Sequence, residues 1–133
     1  MRATREGDKL AVMTYEKLLE RYPEQVRVLG SAARAFIRRT LPKTEESLDE
    51  SAGVAGYGPG PGYSGLICTP LLSKSGVKLG LAHGATLADP DALLEGSGKV
   101  HRYLQLRAVA DLKRPGVARL LKAALEAWKF RAG

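Results

Sequence analysis

The side chains able to do chemistry in this 133-residue chain gather in three places. Four carboxylates, Glu45, Glu46, Asp49 and Glu50, crowd into "EESLDE". Farther on, "LLEGSGKVHRYLQLR", Leu93 to Arg107, sets a glycine-flanked lysine just ahead of His101 and Arg102, while the other histidine, His83, ends "VKLGLAH". Between them lies the single thiol, Cys68, in the apolar setting "GLICTP".

Each place meets a chemical test. A nucleotide-binding phosphate loop needs a glycine five residues before its Gly-Lys pair and a Ser or Thr after the lysine. Here Leu93 and Val100 occupy those positions. The order is also inverted, because a phosphate loop leaves a strand and opens a helix, whereas Gly96 and Gly98 follow a short helical segment and launch a strand. Triphosphate binding by that route is rejected. One cysteine makes no internal disulfide, and its apolar neighbours favour an inert buried thiol in a reducing compartment. Neither histidine has HxxxH or HExxH spacing, which makes a histidine metal site the weakest reading. No set of nucleophile, base and oxyanion donors emerges, so the chain reads as non-catalytic and no cofactor is assigned.

The elements that must position these residues follow from periodicity. Thr14 to Arg21 reads as a short helix, and "YPEQVRVLGSAARAFIRRTLP" as a longer one with Pro23 in its first turn and Pro42 as its stop. Val26, Leu29, Ala33, Phe36, Ile37 and Leu41 form its apolar stripe, with Arg27, Arg34 and Arg38 on the other faces. A loosely specified first strand and a turn at Gly58 to Gly62 start a sheet. "YSGLICTPLL" and "GVKLGLAHG", joined by "SKSG", read as antiparallel strands, the link being too short for a helical crossover. "ATLADPDALLEG" reads as a turn and a short helical piece, with Asp91 as its cap, before a strand near Lys99 to Arg107. Val117, Leu120, Leu121, Ala124 and Trp128 mark a C-terminal helix. The expected class is α+β, an antiparallel meander covered by N-terminal and C-terminal helices, in one domain over residues 1–133 with 1–12 as an arm.

Strand parity sharpens the chemistry. Val100, Arg102, Leu104 and Leu106 share one face, and Val77, Leu79, Leu81 and His83 share another row of the same kind, so Arg102 and His83 both end apolar rows. A guanidinium near a core needs a carboxylate, carbonyls, water or an anionic ligand. Three alternatives stand open: an ion pair of Arg102 with Asp89, Asp91 or Glu95, an anion clamp, or a metal site. The leading expectation is a binding or carrier domain whose small polar pocket, formed by Tyr57, His83, Asp89, Lys99 and Arg102, takes a small anionic ligand.

Charge bounds the partners. Nine Lys and Arg against two acids lie from Lys99 onward, so that third carries the whole formal charge of +7. Without interleaved aromatics the basic helix face reads against nucleic acid, although Arg119, Lys122 and Lys129 leave sequence-independent polyanion binding as an alternative. No segment resembles a signal peptide or a membrane span, which points to a cytoplasmic protein. A homodimer is left open.

"VKLGLAHGATLADPDALLEGSGKVHRYLQLRAVADLKRP" resembles the YdhG-like family of small bacterial domains, with the pattern falling on Gly84, Leu87, Asp89, Pro90, Leu93, Gly96, Gly98, Lys99 and Arg102. Upstream, "LPKTEES" and "GYGPGPGYSG" extend the resemblance. It implies an α+β domain of unknown function. Some members carry a frataxin-like iron-chaperone label, which would imply iron coordination through Glu45, Glu46, Asp49 and Glu50. An overall positive charge works against such a platform.

Overall fold

Helix formation begins with a capped turn. In the computed structural model, which describes residues 14–59 and 66–132, the Thr14 hydroxyl accepts the Lys17 N–H at 3.1 Å and starts α1 (Tyr15–Leu19). Pro23 stands at the cap of α2 (Glu24–Thr40), one place before the first turn, where its missing N–H leaves no bond unmade. Pro42 bars further winding, and the helix closes as the Leu41 carbonyl accepts the Thr44 hydroxyl at 2.7 Å. All six residues of the expected apolar stripe, from Val26 to Leu41, are buried.

Six antiparallel strands follow: β1 (Glu45–Asp49), β2 (Val54–Gly58), β3 (Cys68–Ser73), β4 (Gly76–Leu81), β5 (Leu94–Glu95) and β6 (Arg102–Leu106). Their spatial order is β1-β2-β3-β4-β6-β5. The α+β class is therefore as expected, with a meander through β4 and β5 added outside β6 as a short edge. Register sets the core: Leu81 faces Cys68 and Arg102, Leu79 faces Pro70 and Leu104, and Val77 faces Leu72 and Leu106. Onto this face packs α2, with α1 against it. The C-terminal helix, α3 (Pro115–Ala132), packs on α2 and buries Val117, Leu120, Leu121 and Ala124.

Several local expectations shift. The first hairpin turns between Asp49 and Val54, where the Asp49 carboxylate accepts the Ala52 N–H at 3.0 Å. Of the turn expected at Gly58 to Gly62, residues 60–62 lie outside the described residues, as does the arm 1–12. β2 and β3 pair only through Tyr57 and Cys68, and Pro70, two residues on, has no N–H to extend a ladder. In place of a helical piece before Gly96 there are a 3₁₀ turn (Gly84–Thr86) and the two-residue β5. The last strand starts at Arg102 rather than Lys99, because Gly96 has φ 108° and the chain first rounds a loop.

The stripe makes a direct stability prediction. Ile37 has no exposed surface, so Ile37→Ala should lower unfolding free energy by about 2–5 kcal/mol in urea titration. Val28, on the same helix but 54% exposed, should change stability by no more than about 0.5 kcal/mol on replacement by Ala.

Candidate anion-binding groove

The five residues expected to form one pocket occupy different parts of the fold. Tyr57 pairs with Glu46 across β1 and β2, so both side chains project onto the helix-covered face. There the Tyr57 hydroxyl donates to the Glu46 carboxylate, which also accepts Arg34 Nε at 2.7 Å and Arg34 Nη2 at 3.1 Å. Burial pushes Glu46 upward, but the bonds from Arg34 and Tyr57 outweigh it and hold the carboxyl below its usual range. Burial, then the bond to Glu46, raises Tyr57 and keeps it protonated. Tyr57 is thus part of a buried pin between the first hairpin and α2.

The same alternation divides the acidic cluster. Glu46 points under α2 while Glu45 and Asp49 take the opposite face, and Glu50 lies in the turn. Among the described residues no group of three or more His, Cys, Asp or Glu side chains is placed to hold a metal ion.

Asp89, too, is engaged in shaping the chain. Its two carboxylate oxygens accept the N–H groups of Leu93 at 2.9 Å and Leu94 at 2.8 Å, stabilising a turn in which Ala92 adopts φ 52°. The capping role expected of Asp91 belongs to Asp89, whereas Asp91 pairs with Arg119 at 2.9 Å. Lys99 is exposed on the loop between β5 and β6. On α3, the Lys129 ammonium pairs with Glu126 at 3.3 Å, so two of the three cations expected to meet a polyanion have acidic neighbours.

His83 and Arg102 do come together, in a groove of about 730 Å³ at the end of the sheet. Its polar end comprises His83, His101 and Arg102 together with Arg131 from the last turn of α3. Trp128 and Tyr103 add aromatic walls, and Val54, Leu66, Leu71 and Gly80 extend it over the outer side of the sheet. Among the described residues no carboxylate lines it.

Local bonds fix the polar end. Arg102 Nε donates to the Gly98 carbonyl at 2.9 Å, and among the described residues no carboxylate comes within ion-pair distance of its guanidinium. The ion pair with Asp89, Asp91 or Glu95 is therefore not formed, and a backbone carbonyl holds the guanidinium instead. His83 sits at φ 58°, an uncommon conformation for a non-glycine residue, and its backbone N–H donates to His101 Nδ1 at 3.0 Å. Since Nδ1 accepts, the neutral His101 ring carries its proton on Nε2. The two rings meet edge to face, centroids 5.7 Å apart. Desolvation, then Arg131 and His101, lower the pKa of His83, so a nearby anion would be needed to restore its charge.

Sequence reasoning missed His101, Tyr103, Trp128 and Arg131. Parity assigns His101 and Tyr103 to the face opposite Arg102, but the groove rounds the sheet end and collects residues from both faces. Trp128 reads as the last member of a core stripe, yet at the helix end it is only half-buried. Cys68 is buried as expected, and burial pushes its thiol up to about 12. Among the described residues no helix is long and apolar enough to cross a membrane. Compared with family models, curated proteins and solved structures, the chain matches none.

The pin beneath α2 has a pH signature. A carboxyl lowered by folding contributes stability above its unfolded pKa and loses it as pH falls through the folded value. Stability measured by urea titration should therefore drop from about pH 5 downward, and Glu46→Gln should flatten that acid limb. Removing the cation is harsher: Arg34→Met should cost less than the ~3–5 kcal/mol of a fully buried broken pair, because Arg34 retains a quarter of its side-chain exposure.

Proposed function

We propose that the chain is a small binding or carrier domain that holds an anionic ligand in the groove at the end of its sheet. The observation that carries this reading is the gathering of Arg102, Arg131, His83 and His101 around one concavity that, among the described residues, no carboxylate lines. A pocket of several hundred Å³ with a few convergent polar groups has the size of ordinary small-molecule sites. Arg102 is held at one nitrogen by the Gly98 carbonyl and keeps its two terminal nitrogens for a carboxylate or phosphate.

The YdhG-like pattern noted in the sequence falls on residues at this end of the sheet. Two positions of that pattern, Gly84 and Arg102, pack so closely that a Cβ on Gly84 would lie 2.9 Å from the Arg102 Cβ. Whatever residue replaces Gly84 must push the arginine aside.

Trp128 is the only tryptophan in the chain, so its fluorescence reports on this groove. Titration with inorganic phosphate should change that signal saturably. Arg102→Gln should weaken binding about ten- to a hundredfold, the ~1.5–3 kcal/mol of a hydrogen bond to a charged group. Affinity for acetate, which stays ionised over this range, should also rise as pH falls from about 8 towards 6, since a bound anion favours the protonated His83 ring that desolvation and Arg131 disfavour in the free protein. His83→Asn, which tolerates the same backbone conformation, should flatten that dependence. No saturable response with phosphate or acetate would overturn the reading.

A further inference from the structure

The groove is chemically two-ended. Its cations all lie where β4 ends and β6 begins, whereas Val54, Leu66 and Leu71 line the part that runs back over β2 and β3. Leu71 is 39% exposed there, an apolar side chain on the side of the sheet opposite α2. The floor between the two ends is Gly80, which stands opposite Thr69 and Tyr103. A Cβ at Gly80 would lie 3.2 Å from Leu71 Cδ1 and 3.4 Å from the Thr69 carbonyl oxygen, so any larger side chain there intrudes on the floor. A bare ion would occupy the cationic end and leave the apolar run wet.

Resting on the anion-binding reading above, we propose that the ligand is an amphiphilic acid, with a carboxylate or phosphate head on an unbranched alkyl or acyl body. The head meets Arg102, Arg131 and the two histidines. The body lies along Gly80 towards Leu71, Leu66 and Val54, and removing that surface from water supplies the affinity a bare anion lacks. Charge complementarity sets the polarity of binding: an apolar body at the arginine end would strand guanidinium groups against hydrocarbon. The lone carbonyl and hydroxyl of Thr69 offer too few polar partners for the several heteroatoms of a sugar or a base at the apolar end.

Trp128 fluorescence distinguishes the outcomes with the full chain. Acetate and inorganic phosphate are compared with octanoate and octyl phosphate, the latter pair below their micelle thresholds, and with adenosine monophosphate. The eight-carbon probes should bind at least tenfold tighter than the bare anions of the same head group. Gly80→Val should remove that advantage, so that octyl phosphate binds no tighter than phosphate, and Arg102→Gln should weaken both classes. Leu71→Ser provides a second variant at an exposed position should the glycine replacement disturb the sheet, and it should reduce octanoate affinity alone. Equal binding of phosphate and octyl phosphate would overturn the amphiphile while preserving the anion site. Tighter binding of adenosine monophosphate than of octyl phosphate would also overturn it, in favour of a ring-bearing body. Failure of all five probes would remove the anion reading itself.

Discussion

A sheet with helices packed on one face obliges every strand to treat alternate residues differently. In this chain that constraint sends Val77, Leu79, Leu81, Leu104 and Leu106 beneath the helices, and sends Thr69, Leu71, Lys78, Gly80 and Tyr103 to the other side. The outer side needs a chemistry compatible with partial exposure, and it has one: Lys78 lies over the Tyr103 ring, 4.4 Å from its centroid. Val54 of β2 and Leu71 of β3 line the groove on that outer side, so its position follows from one-sided packing.

The same constraint brings a charge under the helices. Glu46 occupies a core-facing position of β1, where an ionised carboxylate would be costly alone. Two nitrogens of Arg34 and the hydroxyl of Tyr57 meet it, so a residue from α2 and residues from two strands share one anion. Removing water from this group is offset by the number of its donors, and the geometry of those donors ties the first hairpin to α2 in a single register. The outward-facing acids of β1 have no comparable role in positioning α2.

Much of this was legible in the residues. The spacing of Val26 to Leu41 and of Val117 to Ala124 identifies buried helix faces because burial of a helix depends on a period that sequence displays directly. Parity along "VKLGLAH" and "RYLQL" likewise gives the core rows, and with them the conspicuous placement of Arg102 and His83. What stayed hidden depends on three-dimensional closure. Asp89 satisfies two N–H groups four and five residues on, a local bond that competes with the helical turn its neighbourhood suggests. Tyr57 has a polar tip and an aromatic body, and only the β1–β2 register decides that the tip meets Glu46 instead of a ligand. Arg131 and Trp128 reach the groove from the far end of the chain, which no spacing within "LLEGSGKVHRYLQLR" can reveal.

On the anion-binding reading proposed above, the polar end of the groove would start from side chains already restrained by the protein. A free arginine must surrender rotamer freedom to bind, but Arg102 already has Nε fixed on Gly98, so its remaining donors project from a restrained plane. His83 is held in a left-handed conformation by a bond from its own backbone N–H to His101, and that bond in turn dictates which nitrogen of His101 can donate. Backbone strain of this kind persists only where surrounding contacts determine it. Here the contacts belong to the site: the strained turn, the ring that accepts its N–H, and the arginine packed against the next residue, Gly84, are consecutive parts of one wall. Each of these contacts constrains a different part of the wall: the His83 backbone, the His101 ring and the Arg102 side chain.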